Sequence, residues 1–138
     1  MHSCLICIGS NYNRKENLLL ARRRLTALFP SIRFTGEQET RPLFFRNPAL
    51  FSNQMARFYT DADAEWVVKE LKTIEREAGR EQGDKKKEKV CLDIDLLVFD
   101  DRILRPEDLK REYVRKGLEV ALSGSQLNIR IYEFFTEK

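Results

Sequence analysis

The chain opens on an apolar run, Cys4-Leu5-Ile6-Cys7-Ile8, that stops at Gly9-Ser10-Asn11. Such a run marks a buried strand leaving into a tight loop. Leu18, Ala21, Leu25 and Leu28 then recur at helical spacing, with Arg22, Arg23 and Arg24 leaning to the solvated side and Pro30 closing the segment. From 32 to 40 and again from 53 to 59 the pattern is strand-like, while Pro42 and Pro48 between them exclude a sheet interior and predict a working loop. The clearest helical stripe is Trp66, Val67, Leu71, Ile74 and Ala78. Thr60 or Asp61 is its expected cap, and Gly79 stands where glycine ends helices, so Arg80 is expected at a helix terminus.

Residues 81–89 are polar and without period, which predicts a loop. Alternation resumes at 90. Val90, Leu92, Ile94, Leu96 and Val98 should face one way, and Cys91, Asp93, Asp95, Leu97 and Phe99 the other. A helix over 106–122, opened by Pro106, and a strand over 128–134 complete the chain. The order strand-helix-strand-strand-helix-strand, followed by an extra C-terminal helix and strand, predicts an α+β fold: a ferredoxin-like antiparallel sheet with helices packed on it. A single domain over 1–138 is expected, because a chain of 138 residues buries roughly two thirds of its unfolded surface around one core.

Composition narrows the function classes. Hydrophobic residues at 42% and charged residues at 34% describe a water-soluble globular chain, and no apolar stretch is long enough to span a bilayer. A net charge of +3 is too small to argue for nucleic acid, although Lys85, Lys86, Lys87 and Lys89 form a local cluster suited either to phosphate or to a solvated loop. Three cysteines and no leader segment predict a reducing, cytoplasmic setting. Cys4 and Cys7 have C-x-x-C spacing, but on a strand they point to opposite faces, so inert core thiols are expected rather than a metal or redox pair. His2, the single histidine, reads as incidental.

Asp93 and Asp95 are the strongest chemical signal. Two apart on a strand, they share a face with their Cα atoms about 7 Å apart. At about 5 Å between charges and an effective dielectric near 20, they repel by about 3 kcal/mol, enough to favour a cation between them or a proton on one. Magnesium suits such a pair, because it keeps water and substrate phosphate as its other ligands. A solvated pair at a strand end fits the alternation as well; the flanking Leu92, Ile94, Leu96 and Leu97 make that reading costlier.

The surrounding residues carry a resemblance. Ile74-Glu75-Arg76-Glu77-Ala78-Gly79-Arg80, then a loop, then Leu92-Asp93-Ile94-Asp95-Leu96-Leu97, resembles the helix ending in glycine-arginine and the D-L-D strand of the 6-hydroxymethyl-7,8-dihydropterin pyrophosphokinase family, at matching spacing. Ile8-Gly9-Ser10-Asn11, Glu39-Thr40-Arg41-Pro42-Leu43 and Phe51-Ser52-Asn53 match further family segments in the same order. The resemblance implies a transferase of folate biosynthesis that moves the diphosphate of ATP to a pterin hydroxymethyl group and releases AMP. Asp93 and Asp95 would then hold Mg2+ and, with Arg80, form the catalytic set; Glu75, Arg80 and Arg111 would line the nucleotide, with Lys87, Lys89 and Arg105 as further candidates to meet its phosphates. Thr40, Pro42, Leu43, Phe51, Asn53 and Tyr113 would hold the pterin. By pattern alone, Glu75 and Arg80 read equally as surface charges, Phe51 and Tyr113 as core or boundary residues, and Asn53 as a turn residue.

The family pattern breaks in the loop. Where the family carries tryptophan-glycine-proline-arginine, this chain has Lys87-Glu88-Lys89-Val90; Gln82 stands for a second arginine and Arg105-Pro106 for a histidine-proline pair. Lysines would have to supply phosphate charge without the guanidinium fork, which predicts altered or weakened activity. Two other readings follow: a relative that binds nucleotide or pterin as a regulatory module, and a ferredoxin-like RNA-binding or interaction module. The latter lacks the aromatic-interleaved basic strand that stacks bases, so no nucleic acid or membrane partner is expected.

Overall fold

A computed structural model describes residues 1–40, 49–81, 83–84 and 88–109. Its elements are β1 (His2–Ser10), α1 (Arg14–Leu28), β2 (Arg33–Phe34), β3 (Gln38–Thr40), β4 (Phe51–Thr60), α2 (Ala64–Glu77), β5 (Asp93–Phe99), β6 (Arg102–Ile103) and α3 (Pro106–Leu109). The sheet runs β2-β4-β1-β5-β6, with β3 also paired to β4, and every pairing is antiparallel. Counting the interrupted β2–β3 segment as one strand, this is the predicted α+β arrangement, with two long helices on one antiparallel sheet. Helix α3 begins at Pro106 as expected, while the rest of that helix and the strand over 128–134 lie outside the described residues.

Alternation in β1 divides the two sheet faces. Cys4, Ile6 and Ile8 join Leu18, Ala21 and Leu25 of α1, Val67, Leu71 and Ile74 of α2, and Ala56, Phe58, Ile94 and Leu96 of the neighbouring strands in one buried cluster. Phe29 stacks on Phe58 at 3.9 Å between ring centroids within it. Cys4 and Cys7 thus point to opposite faces, and all three cysteines are buried thiols with no disulfide between them. Burial pushes the Cys4 thiol up to about 12, with the Asp100 carboxylate adding to the effect. Such thiols are inert, as the pattern implied.

Four local expectations are corrected. Helix α2 is capped by Asp63, whose Oδ1 accepts from the Trp66 N–H at 2.9 Å; Thr60 still belongs to β4 and Asp61 precedes the first turn. Trp66 lies off the buried stripe, 41% exposed, and meets the core only by edge contact with Phe29. Strand β5 starts at Asp93 rather than at 90, and its pairing with β1 slips between Leu5 and Ile6, so Leu97 is the extra residue. The slip sends Phe99, not Val98, to the helix side, where it joins the core. Finally, His2 is no loose terminus: its Nδ1 lies 2.7 Å from Asp100 Oδ2 and its ring packs against Phe99. Among the described residues no helix is long and apolar enough to cross a membrane.

Candidate functional site

The candidate strand residues lie on the face of the sheet away from α1 and α2. Gly9 of β1 is paired with Asn53 of β4 on one side and with Asp93 of β5 on the other, so these three form a row across the central strands. One step along, Cys7 is flanked by Met55 and Asp95. Gln38 of β3 extends the first row beyond Asn53, Thr40 and Phe51 pair with each other two residues further along the strands, and Asn53 Nδ2 donates to Thr40 Oγ1 at 2.6 Å. The antiparallel register therefore brings Thr40, Phe51, Asn53, Asp93 and Asp95 to one surface although 55 sequence positions separate the first from the last. Gly9 keeps the middle of the row open: a Cβ there would lie 3.1 Å from Asn53 Oδ1.

The end of α2 supplies the charges behind the aspartates. Gly79 takes φ +93°, the left-handed conformation glycine adopts without a Cβ clash, and turns the chain so that Arg80 doubles back. Arg80 Nη1 donates to Asp93 Oδ1 at 2.9 Å and lies 3.1 Å from Glu75 Oε1. The other Glu75 oxygen, Oε2, accepts the Ile94 N–H at 2.8 Å. Arg105 Nη1 stands 3.5 Å from Asp95 Oδ1. Two guanidiniums thus partly offset three carboxylates.

The electrostatics follow from burial. Glu75 is only 8% exposed at its side chain, and that burial pushes its carboxyl above the usual range; the Ile94 N–H pulls it back, the Asp93 charge adds to the rise, and Arg80 and Lys72 oppose it. For Arg80, burial works against the cation, but its hydrogen bond to Asp93 and the charges of Glu75, Asp93 and Asp95 outweigh it and hold the guanidinium above its ordinary value. Both Glu75 oxygens are thus engaged, one with Arg80 and the other with the start of β5.

Among the described residues, no cluster of three or more His, Cys, Asp or Glu could form an all-protein metal cage. Two carboxylates on one face are the donor set that Mg2+ accepts when phosphates and water complete its octahedron. Arg80 and Arg105 lie on those carboxylates, and a guanidinium is chemically suited to phosphate oxygens as well. Lys89 is near the same end of the molecule, its Nζ 4.4 Å above the Tyr12 ring. Lys87, Arg111, Pro42, Leu43 and Tyr113 lie outside the described residues. Periodicity does not single out Gly9 or Tyr12; the family resemblance of Ile8-Gly9-Ser10-Asn11 reaches Gly9 but not Tyr12.

No curated protein matches this chain. The sequence model of one family does match, over residues 5–121, a span that contains the glycine row, the arginine at the end of α2 and both aspartates. With most of its length matched, the chain belongs to the 7,8-dihydro-6-hydroxymethylpterin-pyrophosphokinase family.

Proposed function

We propose that the protein transfers the β,γ-diphosphate of ATP to the hydroxymethyl oxygen of 6-hydroxymethyl-7,8-dihydropterin, with AMP as the second product, in folate biosynthesis. Family membership supports the reaction class. The observation that carries it to this chain is the row Asn53–Gly9–Asp93, which sets an amide suited to a pterin edge beside a carboxylate pair suited to a metal-bound triphosphate.

In this reading Asn53, oriented by Thr40, hydrogen-bonds the pterin amide edge, and Phe51 on the same face offers its ring to the heterocycle. Gly9 leaves room for the ring system between them. Asp93 and Asp95 hold Mg2+, which when bound offsets phosphate charge and orients the triphosphate. Arg80 and Arg105 contact phosphate oxygens and stabilise the charge that builds as the hydroxymethyl oxygen attacks Pβ and the bond from Pβ to the α-phosphate oxygen breaks. The hydroxyl proton leaves to solvent, because the position that carries histidine in the family is Arg105 here.

The test is direct. Incubation with Mg-ATP and hydroxymethyl-dihydropterin should release AMP and form the pterin diphosphate, while Asp95→Ala should release none. AMP no greater than in that control would overturn the enzyme assignment and leave a protein that binds these ligands without turnover.

A further inference from the structure

The loop that follows β1 grips the chain just ahead of β5. Asn11 makes three hydrogen bonds to it: its backbone N–H donates to the Val90 carbonyl at 2.9 Å, its Nδ2 donates to the Glu88 carbonyl at 2.7 Å, and its Oδ1 accepts the Val90 N–H at 2.6 Å. The Lys89 N–H is held separately by the Asp84 carbonyl at 3.0 Å. Four backbone groups in three consecutive residues are thereby fixed, and Glu88 is kept at φ +56°, where a residue with a Cβ stays only under constraint. The side chain of Lys89 is fixed too, its ammonium 4.4 Å from the Tyr12 ring centroid. Tyr12 is itself anchored: its carbonyl accepts from Asn17 Nδ2 at 2.7 Å and from Ser10 Oγ at 3.0 Å.

This is an unusual amount of restraint for one surface lysine. An exposed lysine ordinarily keeps its rotamer freedom, and confining it costs entropy that a surface contact seldom offsets. The location gives the restraint a purpose. Lys89 precedes Asp93 by four residues, at most about 14 Å along the chain, and the clasp starts two residues after Gly9, the partner of Asp93. Arg80 Nη1 lies 3.4 Å from the Leu92 carbonyl, three residues after Lys89, so both cations border the start of β5. Val90 occupies the position where the family carries an arginine, and Lys89 is the adjacent cation.

We propose that Asn11 and Tyr12 are positioning residues that hold Lys89 as a fixed polyphosphate-binding cation beside the Asp93–Asp95 pair, in place of the guanidinium that Val90 has displaced. Asn11 sets the backbone and Tyr12 sets the ammonium. A triphosphate then meets a charge already in place, so the binding loses less to ordering. This inference rests on the reading of the cleft as an ATP site.

The experiment titrates inorganic tripolyphosphate and Mg-ATP by calorimetry and follows AMP release, for the unaltered protein and for Asn11→Ala, Tyr12→Leu, Lys89→Ala, Lys89→Arg and the Tyr12→Leu/Lys89→Ala double variant. Asn11→Ala, Tyr12→Leu and Lys89→Ala should each weaken tripolyphosphate and raise KM for ATP by about tenfold, with KM for the pterin unchanged. Lys89→Arg should restore binding, and the double variant should be no weaker than Lys89→Ala alone, because Tyr12 acts only through Lys89. Thermal melting of each variant reports folding separately. Unchanged tripolyphosphate affinity in Lys89→Ala, an additive double variant, or no tripolyphosphate binding to the unaltered protein would each overturn the proposal. Lysine-dependent binding without AMP release would sustain it while removing the diphosphotransferase reading.

Discussion

Replacing Arg80 by alanine tests whether the guanidinium holds the site together as well as serving it. The Glu75 carboxylate is almost wholly buried and has two partners, the Ile94 N–H and Arg80. Taking one partner from a buried ion pair typically costs about 3–5 kcal/mol. Arg80 is 41% exposed, so water enters where its side chain was, and the loss should come to about half of that, near 2 kcal/mol. For a chain of this size 1 kcal/mol moves Tm by about 4 °C, which puts the Arg80→Ala midpoint about 8 °C below the unaltered protein at pH 7.5. The deficit should depend on pH. Because the folded-state pKa of Glu75 lies above its unfolded value, the native protein takes up that proton first on acidification, and ionised Glu75 is a cost to the fold at neutral pH. Removing Arg80 raises the pKa further, so the gap between variant and parent should be full above both folded-state pKa values and should close as pH falls through them, before the unfolded value is reached. The Arg80→Ala/Glu75→Gln double variant should recover most of the melting temperature at pH 7.5, since the glutamine carbonyl can still accept the Ile94 N–H, yet remain defective in AMP release. Melting curves across pH 5 to 8 make the measurement. An Arg80→Ala midpoint equal to the parent's at neutral pH, or a double variant no more stable than the single, would refute this account of Glu75.

Gly9→Ala should raise the Kd for the pterin about tenfold and leave Mg-ATP affinity within about twofold, because the new methyl presses on Asn53 Oδ1 at 3.1 Å and loosens its 2.6 Å bond to Thr40; calorimetry with each ligand reads both. Native protein at pH 8 should leave Cys4 unlabelled by iodoacetamide over hours, while the same protein in guanidinium chloride labels within minutes, as followed by mass spectrometry. Asp63→Ala should cost about 1 kcal/mol in denaturant unfolding with no change in KM for either substrate, since the cap lies at the end of α2 remote from Arg80.

Period-2 alternation was enough to place β1 and to put Asp93 and Asp95 on one face, because both depend only on strand geometry. Gly79 likewise announced the end of α2, since few other residues adopt the φ found there. What stayed hidden was non-local. Which of Thr60, Asp61 and Asp63 caps α2 depends on where β4 releases the chain, and β4 holds on through Thr60 because it pairs with His2. The slip at Leu97 is a property of two strands together, and neither sequence announces it. Glu75 sits next to Ile74 and reads as a surface charge until the strand edge with which it bonds is in view. The grip of Asn11 and Tyr12 on residues 88–90 was hidden for the same reason, as those partners lie 77 or more positions away.

The edge of β5 has a consequence for how molecules of this protein meet each other. Among the described residues β6 pairs only with Val98 and Phe99, and no strand pairs with the outer side of the first half of β5. A free backbone donor there would invite a strand from another chain to add on. At Ile94 that donor is already taken by a buried carboxylate from α2, and Arg80 and Arg105 flank the approach with charge. The same side chains that shape the cleft therefore discourage sheet-to-sheet joining, and exchanging them for apolar residues would make the protein more prone to self-association before it lost its fold.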